Sequence, residues 1–415
     1  MSIKILKINI AILTALAFST LATAQTNSPY SRYGLGRLQN KESVRSSIMG
    51  GTGVANRSNT DLNYVNPAAL TAMDSTTVMF DVGFNARVSN FMEKDYKKTA
   101  FSGNIDYVTL MVPLQRFWFA AVSIHPISSV GYNVNSVKNY NGVSDNSYYI
   151  TNYKGKGGMS MATLTNSFKL PLGISLGAEV GMMWGNHDEA ITEIYNNMDV
   201  SYSTRRTVAY HSGWYLAGGL QIAHDFDKVG FVLGFTYEAP TNMKSYVEKT
   251  VTTDFDFIDN TTQSTLKSNM PQSFGGGLSI NYNKQLIVSA DYKQKQWENS
   301  KFGIDPNRFV NNNIYSFGME YVPNYNSNKY FDRVAYRFGA HYESGSFEVA
   351  DAPVQSGFLS AGFGFPARMG STILNVGFEF GTIGGLNKKH ITENYFQLNV
   401  GLNLGEVWFM KQKFY

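Results

Sequence analysis

TVMFDVGFNARV, running from Thr77 to Val88, is written with a period of two. Val78, Phe80, Val82, Phe84, Ala86 and Val88 fall on one face, and Thr77, Asp81, Asn85 and Arg87 on the other, because successive side chains of a strand point to opposite sides. The pattern returns near the end of the chain. Leu374, Val376, Phe378 and Phe380 oppose Asn375, Gly377, Glu379 and Gly381, and Phe396, Leu398, Val400, Leu402 and Leu404 oppose Gln397, Asn399, Gly401 and Asn403. A soluble sandwich packs its apolar faces together and bounds its strands with short polar turns. Here the apolar face is long and aromatic, and the other is crowded with Gly, Ser, Asn and charge. That is how a strand reads when lipid lies outside and water inside. The expected fold class is all-β, a transmembrane antiparallel β-barrel.

Fourteen strand candidates run from Thr77–Ser89 to Asn394–Leu404, an even count of about 14 of the kind single-chain bacterial barrels have. Very short turns at Leu114 to Arg116, Pro171 to Gly173, Asp225 to Lys228 and Asn283-Lys284 alternate with long polar connections through Gly131 to Gly157, His187 to Thr204 and Pro240 to Met270. Short turns are expected on the periplasmic side and long loops outside. The 38 Gly, 26 Tyr and 28 Phe suit close strand approach and interfacial aromatic girdles.

The first 24 residues read as a secretory signal peptide: Lys4 and Lys7, an apolar core from Ile8 to Leu21, and Ala22-Thr23-Ala24 before Gln25. Removing the two lysines lowers the formal charge of +4 by 2, to +2, which does not suggest nucleic acid. No Cys is present, so disulfides and thiol chemistry are out of consideration. Residues 25–73 do not alternate. They carry Gly34-Leu35-Gly36, Gly50-Gly51-Thr52-Gly53 and Asn66-Pro67-Ala68-Ala69-Leu70. A lumen of about 14 strands is wide enough to need filling, so this segment is expected to form an N-terminal lumenal hatch. The expected organisation is 1–24 signal peptide, 25–73 hatch and 74–415 barrel. The tail from Val407 to Tyr415, with Trp408 and Phe409 beside Lys411 and Lys413, reads as an interfacial belt closed by a terminal aromatic.

The run GGTGVANRSNTDLNYVNPAAL, starting at Gly50, resembles the N-terminal hatch of the long-chain fatty acid transporter (FadL-type) family. The later run MPQSFGGGLSINYNKQLIVSADYKQKQWE, from Met270, is similar to a strand pair of the same family. That family includes the barrel of the type IX secretion system. The resemblance implies a 14-stranded barrel with a periplasmic-side hatch. It also implies a hydrophobic ligand captured from outside and released sideways through the wall.

Pro126, in Val122-Ser123-Ile124-His125-Pro126, breaks strand pairing because proline has no N–H to donate. It marks either a lateral gate or a strand end at the outer rim. Gly51, Gly53, Asn66, Pro67 and Ala68 form the hatch motif, with Asn66 capping a short helix that Pro67 opens. Asp81, Arg87, Glu179, Asp291, Glu320, Arg333, Arg337 and Glu379 fall on the lumenal parity. They read as a network that keeps the interior polar and rigid, with Arg333 or Arg337 available to a ligand carboxylate.

Gly173-Ile174-Ser175-Leu176-Gly177 matches G-x-S-x-G but opens a strand rather than a helix, which a nucleophile elbow requires. The six His are scattered in sequence without metal-ligand spacing. Neither enzyme, cofactor nor metal is expected. The reading is an outer-membrane barrel moving a hydrophobic small molecule inward, with outer-membrane lipid and that ligand as partners. Its alternative is a non-transporting scaffold for secretion or assembly, binding outer-membrane or secreted proteins through long outer loops. A transporter calls for an apolar pocket and an opening beside Pro126. A scaffold calls for a partner surface on its loops.

Overall fold

In the computed structural model, the described residues are 28–93, 96–139, 148–195, 202–253, 262–300, 309–367, 372–386 and 390–408. The signal-peptide segment and the tail from Phe409 lie outside them. Fourteen antiparallel strands close into a cylinder. They are β1 (Thr77–Glu93), β2 (Tyr96–Gln115), β3 (Trp118–Asn139), β4 (Tyr148–Lys169), β5 (Ile174–Tyr195) and β6 (Tyr202–Phe226). Next come β7 in two segments (Val229–Glu238 and Thr241–Thr253) and β8 in two (Thr262–Met270 and Ser273–Tyr282). β9 (Leu286–Lys295), β10 (Asn312–Tyr321), β11 (Ala335–Glu343), β12 (Ser356–Pro366), β13 (Ile373–Ile383) and β14 (Thr392–Val407) complete the set. Closure is direct, since β14 pairs with β1 from Thr392↔Met92 to Val407↔Thr77.

The period of two decides which side chain meets which solvent. Along β1, Asp81 and Arg87 are buried inward while Phe80 and Val88 stay exposed. The same holds round the wall: Leu110, Val122, Ile124, Leu216, Phe235, Phe317, Phe338, Leu359 and Phe380 all face outward and exposed. So wide a belt of bare aliphatic and aromatic surface fits a hydrocarbon surrounding, since a soluble monomer rarely exposes more than a few hundred Å² of it. No helix among the described residues is long and apolar enough to cross a membrane; this barrel crosses with strands. The tight turns behave as their residues dictate. Asn283 and Lys284 both take positive φ (53° and 56°), the two-residue hairpin geometry that matches strand twist.

The wall is uneven in height. β9 to β13 have 9 to 11 residues each, about one bilayer crossing. β3, β4 and β5 have 22 and β6 has 25. This corrects the sequence expectation of long outer loops. Most of Gly131 to Gly157, His187 to Thr204 and Pro240 to Met270 continues as strand beyond the bilayer. Ladders such as Thr151↔Glu193, Thr192↔Thr204 and Lys249↔Thr262 hold it together. Above the lipid both faces are wetted, so the polar alternation that identifies a membrane strand fades and leaves a loop-like composition. Two prolines punctuate the extension: β7 breaks at Ala239-Pro240 and β8 at Pro271-Gln272, side by side, with Glu238↔Ser273 below and Thr241↔Met270 above.

Candidate functional site

Residues 28–73 lie inside the cylinder. They form two 3-10 turns (Pro29–Arg32 and Pro67–Ala72), a two-residue strand (Arg37–Leu38) and one short helix, α1 (Val44–Ile48). Ser43 caps α1 by accepting from Ser46 N. Asn66 caps the second turn, with Oδ1 accepting from Ala68 N at 3.0 Å and Pro67 in its first turn. The other end of the same carboxamide donates to Val54 O, and to Leu220 O on β6 and Phe235 O on β7, at 2.7 to 3.3 Å. One side chain thus shapes the turn and fastens it to the wall.

The wall accepts the segment because its inward residues there are glycines. A Cβ on Gly219 would lie 2.0 Å from Asn66 Oδ1, and one on Gly339 would lie 2.0 Å from Gly50 N. Both spaces are filled by the segment itself. Charged inward residues meet it as well. Asp291 accepts from Gly53 N at 2.6 Å and Val54 N at 2.8 Å. Asp81 accepts from Tyr64 OH at 2.5 Å. Glu379 accepts from Ser47 Oγ at 2.5 Å, and Glu179 takes Lys41 Nζ.

Four charges form the centre of this junction. Arg45 of α1 and Arg337 of β11 both grip Glu320 of β10, with Arg45 Nε and Nη2 at 2.9 and 3.0 Å and Arg337 Nε at 2.5 Å. Asp61 lies 3.9 Å from Arg45 Nε and 3.7 Å from Arg337 Nη2, and accepts from Asn375 and Asn403. All four are at most 5 % exposed, so two cations and two anions cancel where neither sign could remain alone. Burial works against the charge on Arg45, but the carboxylates of Glu320 and Asp61 outweigh it and hold its pKa above the usual arginine value.

Among the described strands, the wall parts beside Pro126. β2 and β3 pair only between Val108↔Ile124 and Gln115↔Trp118. Just above the last pair each strand carries an extra residue, Asp106 in β2 opposite Gly83/Phe84 and Ile127 in β3 beside Pro126. A bulge bends its strand and increases local twist, and two at one level spread the strands. Beyond them β2 keeps its ladder with β1 alone among the described strands, from Ile105↔Phe84 to Tyr96↔Glu93. The β3 edge instead takes Arg37–Leu38 onto Ser129 and Ser128, flanked by Ser28 N→Gly131 O and Gln39 N→Ile127 O, each 2.9 Å. Pro126 therefore sits at the root of the split.

Behind the split is a cavity of about 230 Å³. Arg37, Arg87, Asn104, Asp106, Glu343 and Glu379 line it, with Tyr30, Phe347 and Phe358 among the few aromatics. Arg87 stacks over Tyr395 at 3.7 Å and donates to Gln397 at 2.6 Å.

Six of the eight lumenal charges named from sequence thus touch the N-terminal segment: Asp81, Glu179, Asp291, Glu320, Arg337 and Glu379. Arg87 lies on the cavity instead. Arg333 is a correction. It belongs to the 3-10 turn Tyr330–Arg333 before β11, with its guanidinium 5.5 Å from the Tyr330 ring, because the strand starts only at Ala335. Gly51 has φ 79°, and Gly53 is fixed by its bond to Asp291. Ser175 gives its hydroxyl to the junction, meeting Arg57 Nη1 at 3.1 Å and Thr71 Oγ1 at 2.7 Å. Arg45 and Asp61 were not singled out from sequence, where an aperiodic segment offers no facing rule.

A family profile described as BamG matches residues 3–415. No curated protein matches. Among solved structures, the toluene transporter TodX of Pseudomonas putida superposes with TM-score 0.61 at 14% identity, covering 90% of this chain and 99% of that one. A FadL homologue of Pseudomonas aeruginosa gives TM-score 0.61 at 12% identity, over 90% and 100%. The toluene transporter TbuX of Ralstonia pickettii gives 0.56 at 14%, over 88% and 98%. The fold is that of the FadL-type outer-membrane barrels, which places the chain in the outer membrane. The comparisons do not support the type IX secretion barrel.

Proposed function

The chain belongs to the BamG family, and from that premise and the geometry of the lumen we propose that it is a non-transporting outer-membrane scaffold that binds partner proteins in secretion or assembly. The observation that carries this reading is the chemistry behind the wall split. A hydrophobic passenger entering there would have to strip water from Arg37, Arg87, Asp106 and Glu379, and desolvating charge without a new partner is costly. The segment below is pinned by the Arg45–Glu320–Arg337–Asp61 cluster rather than poised to move. The surface offered to a partner is the tall wall of β3 to β8, whose outward Tyr148, Ile194, Tyr210 and Tyr246 remain exposed.

Gentle solubilisation of native membranes tests this reading. A stoichiometric protein partner that is lost when the β7–β8 extension (241–270) is trimmed supports it. Recovery of the barrel alone opposes it.

A second reading, uptake of a hydrophobic small molecule, is favoured by one specific feature, the paired bulges that open the wall beside Pro126. Two solved structures of similar fold are toluene transporters, and a lateral exit suits a molecule that partitions into lipid. Lipid or hydrocarbon co-purifying with the barrel, in place of protein, would favour it.

A further inference from the structure

Around Gly185, an inner-wall residue with no side chain of its own, the neighbouring register positions on the same face carry four electron-pair donors. Gly185 of β5 pairs with Met159 of β4 on one side and His211 of β6 on the other. Met183 and His187 precede and follow it on the same face, two residues away in each direction. Met159 leans over the glycine, with its Cγ 2.9 Å from where a Cβ would be. The imidazoles of His187 and His211 meet with ring centroids 4.9 Å apart. Met159 and Met183 are each 1 % exposed.

The hydrogen bonding of the two histidines is what separates this cluster from ordinary packing. His211 Nδ1 is 2.7 Å from Ser245 Oγ, and His187 lies edge-on against the His211 ring. The His211 ring is therefore oriented through Nδ1, while the Nε2 of both rings is buried without any partner. An imidazole held by Nδ1 with Nε2 left bare is the arrangement a metal ligand adopts. Two unsatisfied buried nitrogens side by side otherwise carry a desolvation cost with nothing to offset it.

We propose that Met159, Met183, His187 and His211 form a binding site for a soft monovalent cation, Cu(I). Thioether and imidazole donors select Cu(I) over harder ions. All four donors are neutral, and the nearest inward carboxylate on β5, Glu189, is engaged by Tyr132 OH at 3.0 Å and by Arg32 at 3.8 Å. A divalent ion would bury two charges without a counter-charge, a monovalent ion only one. Among the described residues, no three or more His, Cys, Asp and Glu side chains gather to hold a metal; here the methionines complete the set. A bound ion would tie β4, β5 and β6 together against Leu35 of the N-terminal segment.

The test uses the full-length barrel in detergent, free of any histidine tag, titrated with Ag(I) as a redox-inert stand-in and with Cu(I) against a competing chelator. One equivalent bound, with sulfur and nitrogen neighbours in its X-ray absorption spectrum, is expected. Met159→Leu and His211→Ala should abolish binding, Ser245→Ala should weaken it roughly 10- to 100-fold, and Met243→Leu, next to the site but not facing Gly185, should bind as the parent does. Met159→Leu conserves core volume, so its unfolding profile separates loss of binding from loss of fold. No stoichiometric binding by the parent, equal affinity in Met159→Leu and His211→Ala, or Zn(II) bound as tightly as Ag(I) would each overturn the assignment.

Discussion

Arg45 and Glu320, 275 positions apart in the chain, meet in a two-pronged ion pair at 2.9 and 3.0 Å inside the barrel. The pair joins the only α-helix among the described residues to the low wall, and Arg337 and Asp61 neutralise what remains. Its contribution is specificity of placement more than net stability, because an intact buried cluster is offset by its own desolvation.

Glu320→Gln should therefore be much worse than removing any exposed ion pair. It leaves Arg45 and Arg337 facing one carboxylate, and a loss of about 3–5 kcal/mol is expected. Urea unfolding of the refolded barrel reads it directly. A double-mutant cycle with Arg45→Leu should show coupling between the two sites, and strictly additive effects would mean the pair does not act as a unit.

Gly339→Ala and Gly276→Ala form a matched test of the docked segment. A methyl at Gly339 would meet Gly50 N at 2.0 Å and Met49 C at 2.4 Å, whereas one at Gly276 meets nothing within 4 Å. The first should destabilise by about 1–3 kcal/mol and expose residues 28–73 to protease. The second should stay within about 0.5 kcal/mol of the parent. Equal protease sensitivity in the two would argue against this docking.

Removing residues 25–73 should leave the wall closed and the lumen open. The strand ladders do not depend on that segment except at the β3 edge. Liposome swelling with small sugars should rise sharply over the intact protein. Unchanged permeability would refute a stoppering role for the segment.

How much was legible in sequence depends on which solvent each residue meets. Phe80, Asp81, Val88 and Arg87 declare their sides at once, because lipid and lumen impose opposite chemistries on alternate positions, and the 14 strands follow from that. The tall wall was misread as loop, since residues such as Lys154, Glu193 and Thr204 meet water on either face and no alternation is enforced. Asp81, Glu179 and Asp291 could be placed inward by parity, but not matched to Tyr64, Lys41 and the Gly53 amide. Those partners belong to a segment without period, whose path is set by where the wall has glycine. The approach of His187 to His211 was hidden for a related reason: the two are 24 positions apart and become neighbours only through the β5–β6 register.

A rim that stands high through β3 to β8 and level with the lipid through β9 to β13 gives the molecule a front and a back. Over one arc the rim is a tall sheet, and over the other it is made of the connections between short strands, with Phe309 bridged to Phe347. Another membrane protein can slide in the bilayer against the short strands without striking the parapet. A round pore presents itself equally to all comers, whereas this one has a heading, and neighbours in a crowded membrane would be expected to settle around it in a fixed orientation.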